Sequence, residues 1–213
     1  MAIDNTARRL STRQWFALGL IFIVVVSMVL LVWLFFFTSP ALSDNDTRDI
    51  KGVALTAFNA SSQLVVIPRA PTDLKKKLSP TAIATARSRA HQVFSSIYAP
   101  GYTYGQEVAS QVDSTLTHEA DGYERALDAG VRDIDWRNVR SIDSNTASIT
   151  LAATAWSRVI YVDMNGKQTT FDTTEGRVEI YTLSKINNRW LITNVTLDTA
   201  ATKDLPVNRV HKP

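Results

Sequence analysis

The residue types needed for proton-transfer chemistry occur in the chain, but no spaced motif brings them together. Such an enzyme needs a carboxylate or histidine base inside an apolar cavity, with a tyrosine or a protonated acid as hydrogen-bond donor. The candidates by residue type are Tyr102, Tyr104, His118, Asp133 and Asp135. Both aspartates stand next to arginines, Arg132 and Arg137, which favours ion pairing at the surface over catalysis. The sequence therefore predicts no catalytic residue, and we expect that the protein is not an enzyme.

Metal and cofactor sites are not predicted either. His91, His118 and His211 are dispersed, without the HxxxH or HExxH spacing that places two imidazoles on one helix face. We expect His91 to be a half-buried packing residue on a helix. The chain has no cysteine, which excludes thiol catalysis, thiolate zinc sites and iron–sulfur clusters. Glycine-rich phosphate loops and a GxSxG turn do not occur in the sequence.

The charge balance gives no basis for nucleic-acid binding. Lysine and arginine number 23 and aspartate and glutamate 20, which leaves a net charge of only +3. A basic run at Lys75-Lys76-Lys77 has two interpretations. It can attract anionic lipid headgroups, or it can be a solvated loop, which is the interpretation we favour.

The first structural element that the sequence predicts is a long apolar block at residues 15–37, which contains no charged residue. As a helix, the block spans roughly 34 Å, whereas the hydrocarbon core of a bilayer is about 30 Å thick. We therefore predict a membrane anchor. Its representative positions are Trp15, Phe22, Val26, Leu30, Trp33 and Phe37. Membrane lipids are thus expected partners.

The charges that flank this block predict its orientation. Arg8, Arg9 and Arg13 precede it, and three aspartates follow it by residue 49. The positive-inside rule then places the N-terminus in the cytoplasm and the C-terminal domain outside, in a single-pass protein of the cell membrane. The alternative is a cleaved signal peptide, because Ala41 and Ser43 have the small-residue spacing of a cleavage site. The length of the apolar block favours a retained anchor.

The remaining chain divides into regions by its periodicity. We expect a cytoplasmic tail at 1–14, the membrane helix at 15–37, and a juxtamembrane helix and linker at 38–79. A folded core follows at 80–198, with a flexible tail at 199–213. Within the core, Ser79-Pro80 predicts the start of a helix. Apolar spacing predicts further helices near 108–116 and at 117–129, with Gly130 as the residue that ends the last one.

Beyond Asp133 the period changes to that of antiparallel strands. We predict strands from about residue 133, at 146–162, at 169–183 and at 189–197, with a bend of the second strand near Ala152 and Ala153. Asn165-Gly166 predicts a two-residue type I′ turn, and Asn187-Asn188 predicts another turn. Helices followed by a strand meander indicate an α+β fold in which helices pack on a curved antiparallel sheet.

The closing strand carries a resemblance to a known family. An N-terminal anchor, a helical half and a meander ending in Arg189-Trp190-Leu191-Ile192-Thr193-Asn194-Val195 resemble membrane-anchored NTF2-like domain proteins. In layout the chain is similar to VirB8-like components of type IV secretion and conjugation machines, including TcpC-like proteins. Mce-associated proteins have a similar layout. The resemblance implies a non-catalytic domain that self-associates and holds other envelope components in an assembly.

We therefore expect a membrane-tethered extracytoplasmic scaffold of an envelope-spanning complex, most plausibly one of type IV secretion or conjugation. Tyr102, Tyr104 and Trp156 are the candidate partner-interface residues, whereas Trp190 is expected in the core. The expected partners are membrane and envelope proteins, including further copies of the chain, and no cofactor is predicted. The alternatives are an accessory domain that binds an apolar ligand such as a lipid, and an NTF2-fold enzyme.

Overall fold

A computed structural model describes residues 26–28 and 41–209. Residues 26–28 are helical, and the side chain of Val26 is 38% exposed. The other predicted anchor positions, Trp15, Phe22, Leu30, Trp33 and Phe37, lie outside the described residues. Among the residues that are described, no helix is both long and apolar enough to cross a membrane. The chain divides into two compact units, Met1–Pro40 and Ala41–Pro213, and every strand of the described residues belongs to the second unit.

Local sequence signals account for the helix boundaries. The helices are α1 (Asp44–Phe58), α2 (Ala60–Gln63), α3 (Pro80–Ile97), α4 (Thr103–Asp121), α5 (Thr199–Lys203) and α6 (Pro206–Arg209). The Ser79 hydroxyl accepts a hydrogen bond from the N–H of Ala82, and Pro80 is the first helical residue, so the predicted start of α3 is confirmed. Short helices α5 and α6 lie within the segment expected to be a flexible tail.

Helix α1 belongs to the segment predicted as a juxtamembrane helix and linker, and it packs into the same core as residues of 80–198. It buries Ile50, Ala54 and Phe58 completely or nearly so. At its first turn, Asp46 Oδ1 accepts hydrogen bonds from Lys185 Nζ and Trp190 Nε1, both at 2.7 Å. At its last residue, the Phe58 carbonyl accepts a hydrogen bond from Arg177 of the third strand, so both ends of the helix are attached to the sheet.

The sheet is a four-stranded antiparallel meander. Its strands, in spatial as well as chain order, are β1 (Glu124–Ser141), β2 (Thr146–Val162), β3 (Gln168–Ile186) and β4 (Arg189–Leu197). The predicted α+β class is confirmed, and the bounds predicted for the second and fourth strands match the structure.

The helix predicted at 117–129 is wrong. Helix α4 ends at Asp121 because Gly122 adopts the left-handed conformation, with φ 82°, and the chain then enters β1 at Glu124. The apolar residues that suggested a further helical turn instead pair with β2, as Ala126 does with Val159. Gly130 is a strand residue opposite Trp156 and does not end a helix.

The predicted bend belongs to a different strand. Strand β2 pairs with β3 without any register shift, whereas β1 has three shifts against β2. One extra residue of β1 lies opposite Ala153, and Asp133 within this bulge has φ 54°. A second bulge contains Asn138, with φ 49°. The bulges bend β1 and interrupt its edge.

The type I′ turn occurs at Asn187-Asn188 and not at Asn165-Gly166, where it was predicted. Asn187 and Asn188 form the two-residue connection between Ile186 and Arg189, and both have positive φ, as a type I′ turn requires. The type I′ turn predicted at Asn165-Gly166 is wrong. The chain there forms a five-residue loop, in which only Gly166 has positive φ.

Helices and sheet enclose one apolar core. Along β2, side chains at odd positions from 147 to 155 face the helices, and they are all buried. The largest fully buried apolar side chains of the described chain are Phe58, Tyr181, Ile50, Leu116, Ile149, Leu151, Leu183 and Ile192. The exposed lysines at 75–77 lie on a loop whose carbonyls at Pro71, Asp73 and Lys76 accept hydrogen bonds from buried Arg125.

Candidate functional site: a polar cleft and an open sheet edge

The residues weighed as catalytic candidates do not meet in a cavity. Asp133 and Asp135 are exposed, at 72% and 57% of their side chains, and pair with neighbouring arginines. The His118 side chain is 58% exposed, and its Nδ1 lies 3.7 Å from Glu124 Oε1. The expectation for His91 is wrong, because its side chain is 55% exposed and its Nε2 lies 3.1 Å from Asp113 Oδ2.

The predicted interface tyrosines form a cluster with a third tyrosine. The ring centroids of Tyr98, Tyr102 and Tyr104 are separated by 6.1 to 6.2 Å. Tyr98 is buried, and burial raises the pKa of its hydroxyl above the ordinary value. The hydroxyl of Tyr102 accepts a hydrogen bond of 2.7 Å from the Val195 N–H, which joins the start of α4 to β4. Tyr104 remains 38% exposed, and a partner role for it stays a prediction.

The two strand tryptophans occupy different environments. Trp190 is 4% exposed, so its predicted core position is confirmed. Trp156 is half-buried, and its indole covers Gly130, where an added Cβ would lie 2.7 Å from the ring. Strand alternation places this indole on the face of the sheet away from α4, opposite to Ala155 and Ser157. Its predicted partner role is untested.

A polar cleft lies where the helices stop covering the sheet. Its larger part has a volume of about 370 Å³ between α1, α2, α4 and the β2–β3 pair. The adjoining part has a volume of about 150 Å³ and extends toward β1. The two parts share four lining residues, Ser61, Ser62, Gln111 and Ser157.

Two charged side chains of β3, Glu175 and Arg177, line the larger part of the cleft, and Arg177 also contacts buried Glu179. Arg177 Nη1 lies 3.4 Å from Glu179 Oε1, and Arg177 Nη2 donates a hydrogen bond of 2.5 Å to the Phe58 carbonyl. The Tyr181 hydroxyl donates to the other oxygen of Glu179. Burial raises the pKa of Glu179, and the adjacent guanidinium of Arg177 opposes that shift. These contacts tie the end of α1 to β3.

Glu119 of α4 contributes to the wall of the smaller part. The residue is fully buried, and its Oε1 accepts a hydrogen bond of 2.7 Å from the Ala126 N–H. Its Oε2 is buried and has no hydrogen-bond partner in the described structure. Burial raises the pKa of Glu119 to about 7. The sequence signal that reveals it is a carboxylate continuing the apolar stripe of Val108, Val112 and Leu116.

An open sheet edge adjoins the cleft at residues 170–175 of β3, of which Thr173 and Glu175 also line the larger part of the cleft. All six residues are exposed, which in a strand means that both faces meet solvent. Strand β4 pairs with β3 only from Glu179 onward, so no described strand covers the other side of 170–175. Both helices that follow β4, α5 and α6, contact β3, and α5 reaches it at Val178, whose N–H donates to Thr202 Oγ1. We call residues 170–175 the open edge.

Comparison with known proteins gives limited likenesses. No protein-family model matches the chain, and no curated protein matches it. The chain is similar to a crystal structure of the intermembrane space region of the chloroplast protein ARC6, with 11% identity, a TM-score of 0.39, and coverage of 74% of this chain and 98% of that one. It is also similar to a calcium/calmodulin dependent protein kinase II association domain from Xanthomonas campestris, with 15% identity, a TM-score of 0.32, and coverage of 75% and 93%.

Proposed function

We propose that the protein is a non-catalytic, membrane-tethered scaffold whose extracytoplasmic domain binds a partner chain along the open edge. The observation that carries this proposal is the run of exposed strand at 170–175 that no described strand covers. Such an edge presents unpaired backbone N–H and C=O groups, to which an extended segment of another protein can add as a further strand.

The opposite edge of the sheet supports this assignment by contrast. Strand β1 is interrupted by three bulges, and two of its residues, Asp133 and Asn138, have positive φ. Bulges and charged side chains are devices that prevent a strand from pairing with other chains. The open edge has no proline, no lysine and no register shift against β2. The open edge carries two charged side chains, Asp172 and Glu175, so β1 has more of these devices than the open edge does.

The predicted anchor supplies the other half of the proposal. A domain held at the cell membrane by residues 15–37 meets its partners at a raised effective concentration, so a weak edge contact suffices. Helices packed on a four-stranded meander agree with the NTF2-like layout. The resemblance to VirB8-like proteins then favours an assembly subunit of a type IV secretion or conjugation machine, which binds envelope proteins and further copies of itself.

Site-specific photo-crosslinking in intact cells tests the proposal. Benzoylphenylalanine is introduced at Phe171, on the open edge, and at Ile134, on the bulged edge; these side chains are 55% and 42% exposed. We expect irradiation to give a discrete adduct from position 171 and none from position 134. Mass spectrometry then identifies whether the adduct contains an envelope protein or a second copy of this chain.

A second variant tests whether the crosslinked adduct depends on strand pairing at the open edge. Thr173→Lys places a cation on the open edge, where lysine opposes the approach of another strand. We expect it to abolish the adduct from position 171, whereas Ile134→Lys leaves it intact. Equal crosslinking from both edges, or an adduct insensitive to Thr173→Lys, would contradict the proposal.

Ligand binding is a second candidate function, because the described domain contains a cleft with a buried carboxylate. Hydroxyl, amide and charged groups line it together with apolar side chains such as Phe58, Val65 and Val108. A small ligand with both polar and apolar groups therefore fits this cleft better than the lipid considered from the sequence.

A further inference from the structure

We propose that the smaller part of the cleft binds a small organic cation through an ammonium group, with Glu119 as its anionic partner. This inference does not depend on the open edge or on the membrane anchor. It rests on the carboxylate of Glu119, on the charges around it, and on the size and polarity of the space beside it.

Only one of the two carboxylate oxygens of Glu119 has a hydrogen-bond partner in the described structure. Oε1 accepts the Ala126 N–H at 2.7 Å, whereas buried Oε2 has no hydrogen-bond partner in the described structure. An unpaired polar atom in the interior loses its hydration without compensation, which is unfavourable. Glu119 lines the smaller part of the cleft, so a donor group bound there would reach buried Oε2 after a small shift of the lining side chains, and an ammonium group would also neutralise the ionised carboxylate.

The charges around the cleft favour a cationic ligand over an anionic one. Glu119 and Glu124 line the smaller part, and Glu175 lines the larger part. The lining guanidinium of Arg177 already lies near Glu175 and Glu179, at 3.9 and 3.4 Å. The cleft is therefore lined by more carboxylate groups than guanidinium groups.

The other charged groups near Glu119 do not supply the missing donor. Arg125 directs its terminal nitrogens toward the carbonyls of the 71–76 loop. His118 is exposed and lies 3.7 Å from Glu124. Both Arg125 and Glu124 act on Glu119 through space, in opposite directions. Neither Arg125 nor His118 forms a hydrogen bond with Glu119 Oε2.

The space beside Glu119 suits a short polar molecule. Its volume of about 150 Å³ corresponds to roughly five water molecules at about 30 Å³ each. Hydroxyl and amide groups of Ser61, Ser62, Gln111, Thr115 and Ser157 line it, together with the apolar side chains of Val65, Ala126 and Val159. The polar groups can bind the ligand's heteroatoms, and the apolar ones can contact its methylene groups.

Binding should be linked to proton release. Burial raises the pKa of Glu119 to about 7, so the unliganded carboxyl is partly protonated at neutral pH. A bound ammonium favours the ionised form and displaces the proton. Affinity for the cation is therefore expected to rise with pH through the neutral range, where the ammonium of an aliphatic amine stays charged.

Isothermal titration calorimetry on the full chain in detergent tests the inference, with putrescine as the probe and 1,4-butanediol as its uncharged counterpart. We expect putrescine to bind at least about tenfold more tightly than the diol. Titrations in buffers of different ionisation enthalpy should show proton release, and chemical-shift titration of the Glu119 side chain should show its pKa falling when putrescine is added.

Matched variants assign the effect to Glu119. Glu119→Gln keeps the acceptor for Ala126 and removes the charge, so we expect an affinity loss of about tenfold or more and no linked proton release. Glu107→Gln makes the same change at an exposed position of α4 outside the cleft, and should leave binding unchanged. Ser62→Leu, which fills the cavity without touching the carboxylate of Glu119, should also abolish binding, and it serves as the test if Glu119→Gln does not fold.

Three outcomes would overturn the inference. They are equal binding of putrescine and butanediol, absence of putrescine binding at millimolar concentration to the folded wild type, and equal effects of the Glu119 and Glu107 substitutions. These results are independent of crosslinking at the open edge, so the inference and the proposed scaffold role can fail separately.

Discussion

The two halves of the β2–β3 pair share one continuous register but differ in what covers them. In the half nearest β4, residues 147–155 of β2 are buried except for Thr150. In the far half, residues 170–175 of β3 are all exposed. Along one face of β3 the exposed side-chain fraction falls from 67% at Glu175 through 23% at Arg177 to 7% at Glu179. The cleft lies at this transition.

The contrast between the two halves shows that strands can form without being buried. The covered half is stabilised by apolar packing against the helices, which is the dominant favourable contribution to folding. The far half is held by backbone pairing and by cross-strand side-chain contacts, such as Arg158 with Asp172 and Ser157 with Thr173. A half that contributes little to the core is available for binding without loss of the fold.

The largest expected difference between the halves is in stability. Leu151 is fully buried, and we expect Leu151→Ala to lower the free energy of unfolding by about 2–5 kcal/mol. Phe171 is 55% exposed, and Phe171→Ala should cost several-fold less, although it removes a larger side chain. Denaturant unfolding of both variants measures this. Equal losses would show that the open edge is covered in the folded protein.

A smaller effect is expected from Glu119, at the boundary of the halves. Its pKa is raised from 4.5 to about 7, so the folded state binds the proton more tightly than the unfolded state. This contribution to stability is complete below about pH 4.5 and is lost as pH rises through 7. Glu119→Gln should therefore become stabilising relative to wild type above pH 7, by at most about 3 kcal/mol. Unfolding measured from pH 4 to 8 checks the sign; a wild-type advantage that grows with pH would contradict it.

The smallest effect is expected in the far half. Arg158 Nε and Nη2 donate to the two oxygens of Asp172, at 2.7 and 3.0 Å, but both side chains are more than half exposed. Solvent screens such a pair, so Asp172→Asn should leave the free energy of unfolding unchanged within error. A clear loss of stability that persists in 1 M salt would show that this half is more protected than its exposure indicates.

Strand alternation and turn residues made most of the sheet predictable. Strands β2 and β4 have the predicted bounds, since their apolar residues alternate and polar turns flank them. The start of β1 was missed because Ala126 and Leu127 also fit a helical stripe. What decides their conformation is pairing with Val159 and its neighbours, which are distant in sequence.

The two candidate sites differ in how far the sequence could predict them. The open edge follows from β4 being shorter than β3, and this difference was visible in the predicted strand lengths. The cleft depends on which side chains the helices leave uncovered, which periodicity alone does not contain. Glu119 gave the one local sequence signal for the cleft, because it is a carboxylate on an apolar helix face. Its unpaired oxygen is revealed only by the three-dimensional packing.

The attachment of Asp46 to the sheet has a mechanical consequence. Tension transmitted from the predicted anchor would enter the described domain at Ser43, the residue that caps α1 and precedes Asp46 by three positions. Because Asp46 is bonded to Lys185 on β3 and Trp190 on β4, the load passes at once into two strands. A force applied at this end of the domain would then be shared by the Lys185 ion pair and the Trp190 hydrogen bond, which hold the first turn of α1 against the sheet.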